Sequence, residues 1–253
     1  MDAMLDFTGK TVLVTGASQG LGNLLADALA SRGANIVIGD IKAAELKTTE
    51  QQFIDKGYAV ASLAGDVSQD SYCQSLAQLA IDKFGRLDIA VNNAGIAPAV
   101  APLHQTDEET MDKQFAVNVK GVQFGMKHQI PLMLNQGGGV VLNVSSLAGL
   151  GGAPGVASYA AAKHAVIGLT KTAAVEYGRF GIRVNAACPF FTLTNMVTDM
   201  SDDDDRKKMA RGAPMKRLAE PQEVVATMLL MLSPANTYMT GQTIAIDGGV
   251  TAM

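Results

Sequence analysis

The sequence has 253 residues, of which 48% are hydrophobic and 17% are charged. This composition supplies a large core and excludes a disordered chain, and the lack of a linker or repeat predicts one domain over residues 1–253. Its 20 basic and 24 acidic residues give a formal net charge of −4, which indicates neither nucleic-acid binding nor binding to anionic membranes.

Strand and helix patterns alternate along the whole chain. Strands are predicted where apolar, often β-branched, residues run together, and helices where apolar residues recur every three or four positions. The predicted strands are 11–15, 35–40, 58–66, 87–95, 139–146, 182–188 and 243–247. The predicted helices are 21–33, 42–55, 70–83, 107–135, 158–178 and 221–232. Continuous apolar strands separated by helices predict an α/β fold, with a parallel sheet covered on both faces.

Several features favour a cytoplasmic location. The first ten residues, MDAMLDFTGK, contain two acids and no apolar run, unlike a signal peptide. The most apolar long stretch, 140–170, is interrupted by glycines, Pro154 and Lys163, so we do not expect it to span a membrane. The two cysteines, Cys73 and Cys188, are too few for a disulfide framework and suit a reducing compartment.

A glycine-rich turn follows the first predicted strand and precedes the first helix. Gly16 permits a tight turn, Gly20 lets a pyrophosphate approach the backbone, and Gly22 permits close packing of helix on strand. The helix N-terminus adds unpaired N–H groups and partial positive charge. The alternative is an ordinary glycine-rich turn between a strand and a helix. Because the motif has both the preceding strand and the following helix that a dinucleotide site requires, the sequence favours dinucleotide binding. It reads Thr15-Gly16-Ala17-Ser18-Gln19-Gly20-Leu21-Gly22.

An acid, Asp40, ends the second predicted strand. A carboxylate there can accept hydrogen bonds from an adenosine ribose and repels a 2′-phosphate. Positions 19 and 41 are not basic, and Lys42 lies one place further on. The sequence therefore predicts NAD over NADP. Asp40 is equally a candidate N-cap for the helix that starts near Lys42, and the two roles are compatible.

Further motifs follow in a fixed order, and together they resemble the short-chain dehydrogenase/reductase family. Any one of them is weak, but the ordered set spans almost the whole chain. Besides the TGxxxGxG spacing of the turn, the matches are Asp66-Val67, Asn92-Asn93-Ala94-Gly95, Asn118, Ser145-Ser146, Tyr159-x-x-x-Lys163 and Asn185 before Pro189. The resemblance implies a Rossmann-type doubly wound sheet of about seven strands. It also implies nicotinamide-dependent interconversion of an alcohol and a carbonyl compound.

The candidate catalytic residues are Asn118, Ser146, Tyr159 and Lys163. Tyr159 and Lys163 are four residues apart, so they share one helix face, and a lysine ammonium there would lower the pKa of the phenol. Taken alone, such a pair is more commonly a surface or interface helix contact. Ser146 lies thirteen residues before Tyr159, the family's spacing, and can polarise the substrate oxygen; Ser145 is the competing candidate. The resemblance implies that Asn118 holds a water linking Lys163 to solvent, although a tolerated polar residue within a long helix explains it too.

The resemblance also assigns the cofactor contacts. Asp66 and Val67 match a pair that meets the adenine ring, and residues 93–95 match the turn beside the adenosine ribose. Thr192 and Thr194 match residues that meet the nicotinamide carboxamide. The full set is Gly16, Ser18, Gln19, Gly20, Leu21, Gly22, Asp40, Ile41, Asp66, Val67, Asn93, Ala94, Gly95, Tyr159, Lys163, Pro189, Thr192 and Thr194.

One residue departs from the family pattern. Phe190 stands where the family usually has a glycine after Pro189. A phenylalanine takes a positive φ only at a cost, so we expect either a different loop here or a ring that narrows the pocket beside the nicotinamide.

Three stretches correspond to the family's substrate cleft: 96–103, 147–156 and a loop of about 190–215. Methionines in the loop suit an adaptable apolar wall, although packing of the loop on the sheet explains several of them equally. The apolar loop residues are Phe190, Phe191, Leu193, Met196, Val197, Met200, Met209 and Met215. We expect a small alcohol or ketone as substrate.

The acidic run from Ser201 to Asp205 predicts a helix whose N-cap is Ser201. We expect no metal there, because consecutive side chains do not converge on one ion.

The oligomeric state and the rival functions rest on fewer residues. The helix around 157–174 is rich in small residues, and the resemblance implies that it and 107–135 pair across a two-fold axis. A homotetramer is favoured and a dimer is the alternative, while core packing explains the same small residues. An NADPH-dependent 3-oxoacyl-[acyl-carrier-protein] reductase is disfavoured by Asp40. A nucleotide-binding regulator on the same fold would be expected to lack Ser146, Tyr159 or Lys163.

Overall fold

The computed structural model describes residues 3–199 and 201–253, and in them a seven-stranded parallel sheet forms the centre of the protein. The strands are Thr11–Thr15 (β1), Asn35–Asp40 (β2), Val60–Ala64 (β3), Ile89–Asn92 (β4), Gly139–Val144 (β5), Ile182–Pro189 (β6) and Thr243–Ile246 (β7). Their order is β3-β2-β1-β4-β5-β6-β7, so the direction of strand addition reverses between β1 and β4. This order confirms the predicted doubly wound fold, in which ligands bind at the carboxyl ends of the strands near the reversal.

Helices cover both faces of this sheet. In the described residues they are Gly20–Ala30 (α1), Ala43–Asp55 (α2), Asp70–Phe84 (α3), Glu108–Phe115 (α4), Gly121–Asn135 (α5), Ala157–Tyr177 (α6), Asn195–Thr198 (α7), Asp203–Arg211 (α8) and Pro221–Leu232 (α9). One core joins α1, α2 and α9 to the sheet, and a second core joins α3, α5 and α6 to its other face. Since strand side chains alternate between faces, Val12 and Val14 enter the first core and Leu13 enters the second.

The predicted helix over 107–135 is interrupted. Between α4 and α5, residues Ala116–Lys120 form a π-helical segment, in which the backbone turn is one residue wider. Such segments are rare and occur frequently at functional sites. Asn118 lies in the middle of this one and is fully buried, so it does not sit in a regular α-helix as we expected.

Two predicted helix caps are wrong. The N-cap of α2 is Lys42 rather than Asp40, and its side chain makes no capping hydrogen bond. The N-cap of α8 is Asp202 rather than Ser201, because the Asp202 carboxylate accepts a backbone hydrogen bond from within the first turn at 2.8 Å. The Ser201 hydroxyl is used differently, since it donates to the carbonyl oxygen of Val197.

The cysteines and the helix lengths complete the description. Cys73 and Cys188 are both buried free thiols, the first on α3 and the second on β6. No helix within residues 3–199 and 201–253 is long and apolar enough to cross a membrane.

Candidate active site

The parallel sheet gathers the predicted motifs at one edge. The glycine-rich turn follows β1, Asp40 ends β2, and the turn at 93–95 follows β4. Ser146 lies just beyond β5, and Pro189 ends β6. Because the strands are parallel, all five positions lie at their carboxyl ends, which is where ligands bind in open α/β sheets.

The glycine-rich turn is held in shape by the turn after β4. Gly16 and Gly20 have φ values of +66° and +60°, the left-handed region that favours glycine. The Asn93 side chain donates to the carbonyl oxygens of Thr15 and Gly16 at 2.9 and 3.2 Å. In return, the Thr15 hydroxyl oxygen accepts the backbone N–H groups of Asn93 and Ala94, both at 3.1 Å. Asn93 thus shapes the turn rather than leaving its amide to a ligand.

The start of α1 fits a pyrophosphate. Its N-cap is Gln19, in an extended conformation, and the Gln19 side chain makes no capping hydrogen bond. A Cβ on Gly20 would have only Thr194 atoms nearby, the closest 3.9 Å away, so the space above the turn is open. Leu21 packs its side chain against the core and leaves its backbone at the turn. Uncapped helical N–H groups beside open space suit a dinucleotide's phosphates.

Asp40 is nearly buried and already partly bonded. Its Oδ2 accepts the backbone N–H and the hydroxyl of Ser18 at 3.0 and 2.7 Å, and its Oδ1 accepts the Lys42 N–H at 3.0 Å. A carboxylate offers about four acceptor positions, so one is left for a ribose hydroxyl. The neighbouring Ile41 side chain is exposed, and the Lys42 ammonium lies 3.3 Å from the side-chain oxygen of Gln19.

The predicted adenine pair lies beyond β3. The Asp66 carboxylate accepts the backbone N–H of Ser68 at 2.9 Å, which fixes the turn. Val67 is nearly buried, and a Cβ on Gly121 at the start of α5 would lie 2.8 Å from it. Val67 therefore packs against the helix that follows the π segment.

Helix α6 brings Tyr159 and Lys163 to Ser146. The Lys163 Nζ lies 5.4 Å from the centre of the Tyr159 ring and donates to the carbonyl oxygen of Val144 at 2.8 Å. The Ser146 side chain is close enough to Tyr159 to lower the pKa of its phenol, and the Ser146 Oγ accepts the backbone N–H of Ala148 at 3.2 Å. The Ser145 hydroxyl instead donates to the backbone oxygen of Lys163 at 2.9 Å and is buried. Of the two candidate serines, Ser146 is thus the one beside the tyrosine.

Burial shifts the pKa values of both Lys163 and Tyr159. It lowers the pKa of the Lys163 ammonium to about 8. It raises the pKa of the Tyr159 phenol, and this outweighs the hydrogen bond from Ser146, which lowers it. We expected the lysine to lower the pKa of the phenol; the net direction is upward instead, because removing a phenolate from water costs more than its contacts return. Near neutral pH Tyr159 is therefore a phenol, which can donate a proton.

Asn118 is fixed by its surroundings. Its Oδ1 accepts the N–H of Ile96 at 3.0 Å, and its Nδ2 donates to the Ile96 carbonyl oxygen at 2.9 Å. The same Nδ2 donates to Oε1 of Gln114 at 2.7 Å. Gly95 separates it from the lysine: a Cβ there would lie 2.9 Å from Asn118 Oδ1 and 3.5 Å from Lys163 Nζ. The structure thus brings the four predicted catalytic residues to one place.

The loop after β6 accommodates Phe190 without the backbone conformation that a glycine would allow. Phe190 does not take a positive φ, since Lys216 is the one non-glycine residue with such a φ in the described part of the chain. The Phe190 ring lies 4.7 Å from that of Phe191, and its Cζ is 3.8 Å from where a Cβ on Gly212 would be. The ring therefore packs beneath the end of α8 without backbone strain. Among the predicted loop residues, Met200 lies outside those that the structure describes.

The two threonines of this loop face different ways. Thr192 is buried, and its hydroxyl donates to the carbonyl oxygen of Phe190 at 3.0 Å. Thr194 approaches the glycine-rich turn, with its Cβ nearest to the position of a Gly20 side chain. Pro189 is itself buried at the end of β6.

Sequence reasoning missed two side chains. Thr15 was given no role of its own, yet its hydroxyl ties the glycine-rich turn to the turn after β4. Gln114 was not singled out, although a polar residue four positions before Asn118 shares its helix face.

The acidic run of α8 forms ion pairs within its own helix, such as Asp205 with Lys208 at 2.9 Å. Among the residues that the structure describes, no three His, Cys, Asp or Glu side chains are grouped as metal ligands.

Known proteins resemble the chain along nearly its whole length. Residues 16–251 match the sequence model of a family described as enoyl-(acyl carrier protein) reductase. An uncharacterized oxidoreductase of Thermotoga maritima is 41% identical, over 98% of this chain and 100% of that protein. Cis-4-hydroxycyclohexanecarboxylate dehydrogenase of Sinomonas cyclohexanicum is 38% identical over 98% of both chains. The crystal structure of levodione reductase superposes with a TM-score of 0.93 at 33% identity, covering 97% of this chain and 99% of that one.

Proposed function

This chain belongs to the short-chain dehydrogenase/reductase family, and from that premise we propose that it interconverts a secondary alcohol and a ketone with NAD(H) as cofactor. At the coarser level it is an oxidoreductase that acts on alcohol-type substrates with a nicotinamide cofactor. The observation that carries the proposal is the convergence of Ser146, Tyr159 and Lys163 at the same end of the sheet as the uncapped N-terminus of α1.

Each catalytic residue has a distinct role in this proposal. The bound nicotinamide accepts or supplies the hydride. In ketone reduction, the Tyr159 phenol donates its proton to the substrate oxygen, while Ser146 donates a hydrogen bond to the same oxygen. In alcohol oxidation, the Tyr159 phenolate removes the hydroxyl proton. Lys163 stabilises that phenolate, and Asn118 supports the route by which the proton is exchanged with solvent.

The cofactor contacts follow from the positions of the motifs. Gly20 leaves room for the pyrophosphate at the N-terminus of α1, and Gly16 and Gly22 permit the close backbone contacts that shape the turn there. The remaining acceptor position on Asp40 suits a ribose hydroxyl, and the carboxylate repels a 2′-phosphate, which supports NAD over NADP. The other proposed contacts are Ser18, Gln19, Leu21, Ile41, Asp66, Val67, Asn93, Ala94, Gly95, Tyr159, Lys163, Pro189, Thr192 and Thr194.

The substrate is proposed to be a small uncharged molecule. The cleft stretches 96–103 and 147–156 contain no ionisable side chain. One relative is named for a hydroxycyclohexanecarboxylate, so secondary alcohols on six-membered rings are a reasonable first class to test. A carboxylate on such a ring would find no cation in these two stretches, and burying an unpaired charge is costly. We therefore expect uncharged ring alcohols to be preferred over their carboxylates.

Three wider properties stay predictions from the sequence. We propose that residues 1–253 act as a single domain and that the protein is cytoplasmic. We also propose a homo-oligomer, a tetramer before a dimer, because small side chains along α6 allow close helix packing.

The decisive experiment is NAD reduction with a panel of secondary alcohols, repeated with NADP. Tyr159→Phe removes the proton-transferring hydroxyl, and Tyr177→Phe at the other end of α6 is the matched control. We expect activity with NAD that Tyr159→Phe abolishes and Tyr177→Phe retains. Near-wild-type turnover in a folded Tyr159→Phe protein would overturn the assignment. NADH binding without turnover of any alcohol or ketone would favour the nucleotide-binding regulator.

The cofactor preference has a separate test. Asp40→Ser removes the charge that opposes a 2′-phosphate, so we expect the KM for NADP to fall by roughly tenfold. The description of the matched family keeps an acyl-carrier-protein substrate as the second candidate. That candidate requires NADPH, so a wild-type protein that uses NADPH with 3-oxoacyl thioesters, and not NADH with ketones, would establish it instead.

A further inference from the structure

Gln114, the penultimate residue of α4, is a buried amide next to the π segment. It is 2% exposed. Its Oε1 accepts a hydrogen bond from Nδ2 of Asn118 at 2.7 Å, across one helical turn. A buried amide without partners costs several kcal/mol, so a glutamine at this position has to be matched by its neighbours.

The bond to Gln114 completes the donor capacity of Asn118. Nδ2 has two hydrogens, and the Ile96 carbonyl oxygen and the Gln114 side chain accept one each. The Asn118 Oδ1 accepts the Ile96 N–H. A flipped Asn118 amide would set its oxygen against two acceptors and its N–H groups against a donor. Gln114 therefore helps to fix which way this amide points.

The Asn118 amide lies near the catalytic lysine. Asn118 holds the backbone at Ile96, and the preceding residue, Gly95, lies between Asn118 Oδ1 and Lys163 Nζ. Asn118 lies in the π segment, and such segments occur frequently at functional sites.

We propose that Gln114 is a positioning residue for the proton transfer through Lys163. Its hydrogen bond holds the Asn118 amide in one orientation. In that orientation Asn118 holds the Ile96 backbone, and so keeps the neighbouring Gly95 in place beside Lys163. Gln114 does not touch the reacting atoms. This inference rests on the proposed function, in which Asn118 and Lys163 carry the proton between Tyr159 and solvent.

A second buried glutamine provides a matched control. Gln129 on α5 is also 2% exposed. It exchanges two hydrogen bonds with the Asn92 side chain, at 3.2 and 2.9 Å. Its side chain bonds to Asn92 rather than to Asn118 or Lys163. Replacing Gln129 therefore measures the structural cost of losing a buried amide without disturbing Asn118.

The experiment compares Gln114→Met with Gln129→Met, since methionine keeps the length of the side chain and removes the acceptor oxygen. We measure Tm, the KM for NAD, kcat and the solvent deuterium isotope effect on kcat. Both variants are expected to lower Tm. Only Gln114→Met is expected to reduce kcat, by about tenfold, and to raise the isotope effect, because proton transfer then limits turnover. The KM for NAD stays within about twofold of wild type, because the cofactor contacts are unchanged.

Conservative substitution supplies the rescue. Gln114→Glu retains an acceptor oxygen for Asn118, so it should restore kcat and the wild-type isotope effect. If Gln114→Met does not fold, Gln114→Ala replaces it in the same comparison. Equal kcat and isotope effects in wild type and the folded Gln114 variant would make the residue merely structural and overturn the inference alone. A wild-type protein that turns over no alcohol or ketone would overturn the proposed function, and this inference with it.

Discussion

A Cβ on Gly22 would lie 2.3 Å from the carbonyl oxygen of Gly16 and 2.5 Å from Nδ2 of Asn93. Both atoms are held by the backbone and by the hydrogen bonds of Asn93, so neither can move aside cheaply. The first turn of α1 is thus in direct contact with the turn that precedes it. This contact places the helix N-terminus where a pyrophosphate would bind.

Gly22→Ala is expected to disrupt this contact. The added methyl group forces the turn and the helix apart, which should cost about 1–3 kcal/mol of stability and most of the NADH affinity. Thermal denaturation and a fluorescence titration with NADH measure the two effects. Gly168→Ala on α6 is the control, because no atom lies within 4 Å of the added Cβ and φ is not positive there. An alanine at position 22 that binds NADH as tightly as wild type would contradict the proposed phosphate site.

Replacing the buried lysine should stabilise the protein while removing activity. Burial lowers the pKa of Lys163 from 10.5 to about 8, so the folded state binds its proton less tightly than the unfolded chain does. The unfolded chain therefore holds more protons between about pH 8 and 10.5, and stability rises with pH in that window. Lys163→Met removes the cost of burying the ammonium, so at pH 7 we expect a gain on the order of 1–3 kcal/mol.

Urea denaturation of wild type and Lys163→Met at several pH values checks this prediction. The difference in stability should narrow as pH rises from 8 towards 10.5. Lys171→Met, an exposed position on the same helix, should show no such pH dependence. A Lys163→Met protein that is less stable than wild type at pH 7 would show that the bond to Val144 outweighs the burial cost.

Ser146→Ala should move the pH dependence of alcohol oxidation. Burial raises the pKa of Tyr159 and the hydrogen bond with Ser146 lowers it, so removing the bond raises the pKa further. Oxidation requires the phenolate, so the rise in kcat with increasing pH should shift to higher pH. Profiles of kcat against pH for both reaction directions measure the shift, and reduction, which uses the phenol, should show no loss at neutral pH from this cause. An equal shift in Ser145→Ala would reverse the assignment of the two serines.

Asp88 should stabilise the opposite end of the sheet, at the amino ends of β1 and β4, through ionic hydrogen bonds. Arg86 donates two hydrogen bonds to its carboxylate, both at 2.6 Å, and the backbone N–H of Thr11 donates another at 3.0 Å. Burial raises the pKa of Asp88, but these donors together lower it below its ordinary value. The Asp88 carboxylate therefore stabilises the folded state fully above the ordinary pKa of an aspartate. This stabilisation is lost as the pH falls through the lowered pKa of Asp88 in the folded protein.

We expect Asp88→Asn to cost about 1–3 kcal/mol at neutral pH, since Arg86 is half-exposed and partly screened by water. Thermal denaturation from pH 7 down to pH 3 measures it, and the gap between variant and wild type should close at the acid end. Asp205→Asn, at an exposed pair on α8, is the matched control and should change little. A constant gap at every pH would mean that the carboxylate charge is not what stabilises this end of the sheet.

The sequence alone predicted most of the architecture and supplied the candidate site residues. Hydrophobic period and glycine spacing are local properties of the chain, so they were enough to locate all seven strands and the glycine-rich turn. The ordered motifs then placed Ser146, Tyr159 and Lys163 in one family.

Tertiary structure decided what depends on residues far apart in the chain. Ser146 was separated from Ser145 by which hydroxyl reaches Tyr159, and the direction of the Tyr159 pKa was set by burial. The Asn118 side chain is held by the backbone of Ile96, 22 residues away, and no sequence spacing predicted that contact. Packing and desolvation are sums over such distant neighbours, and no window of sequence contains them.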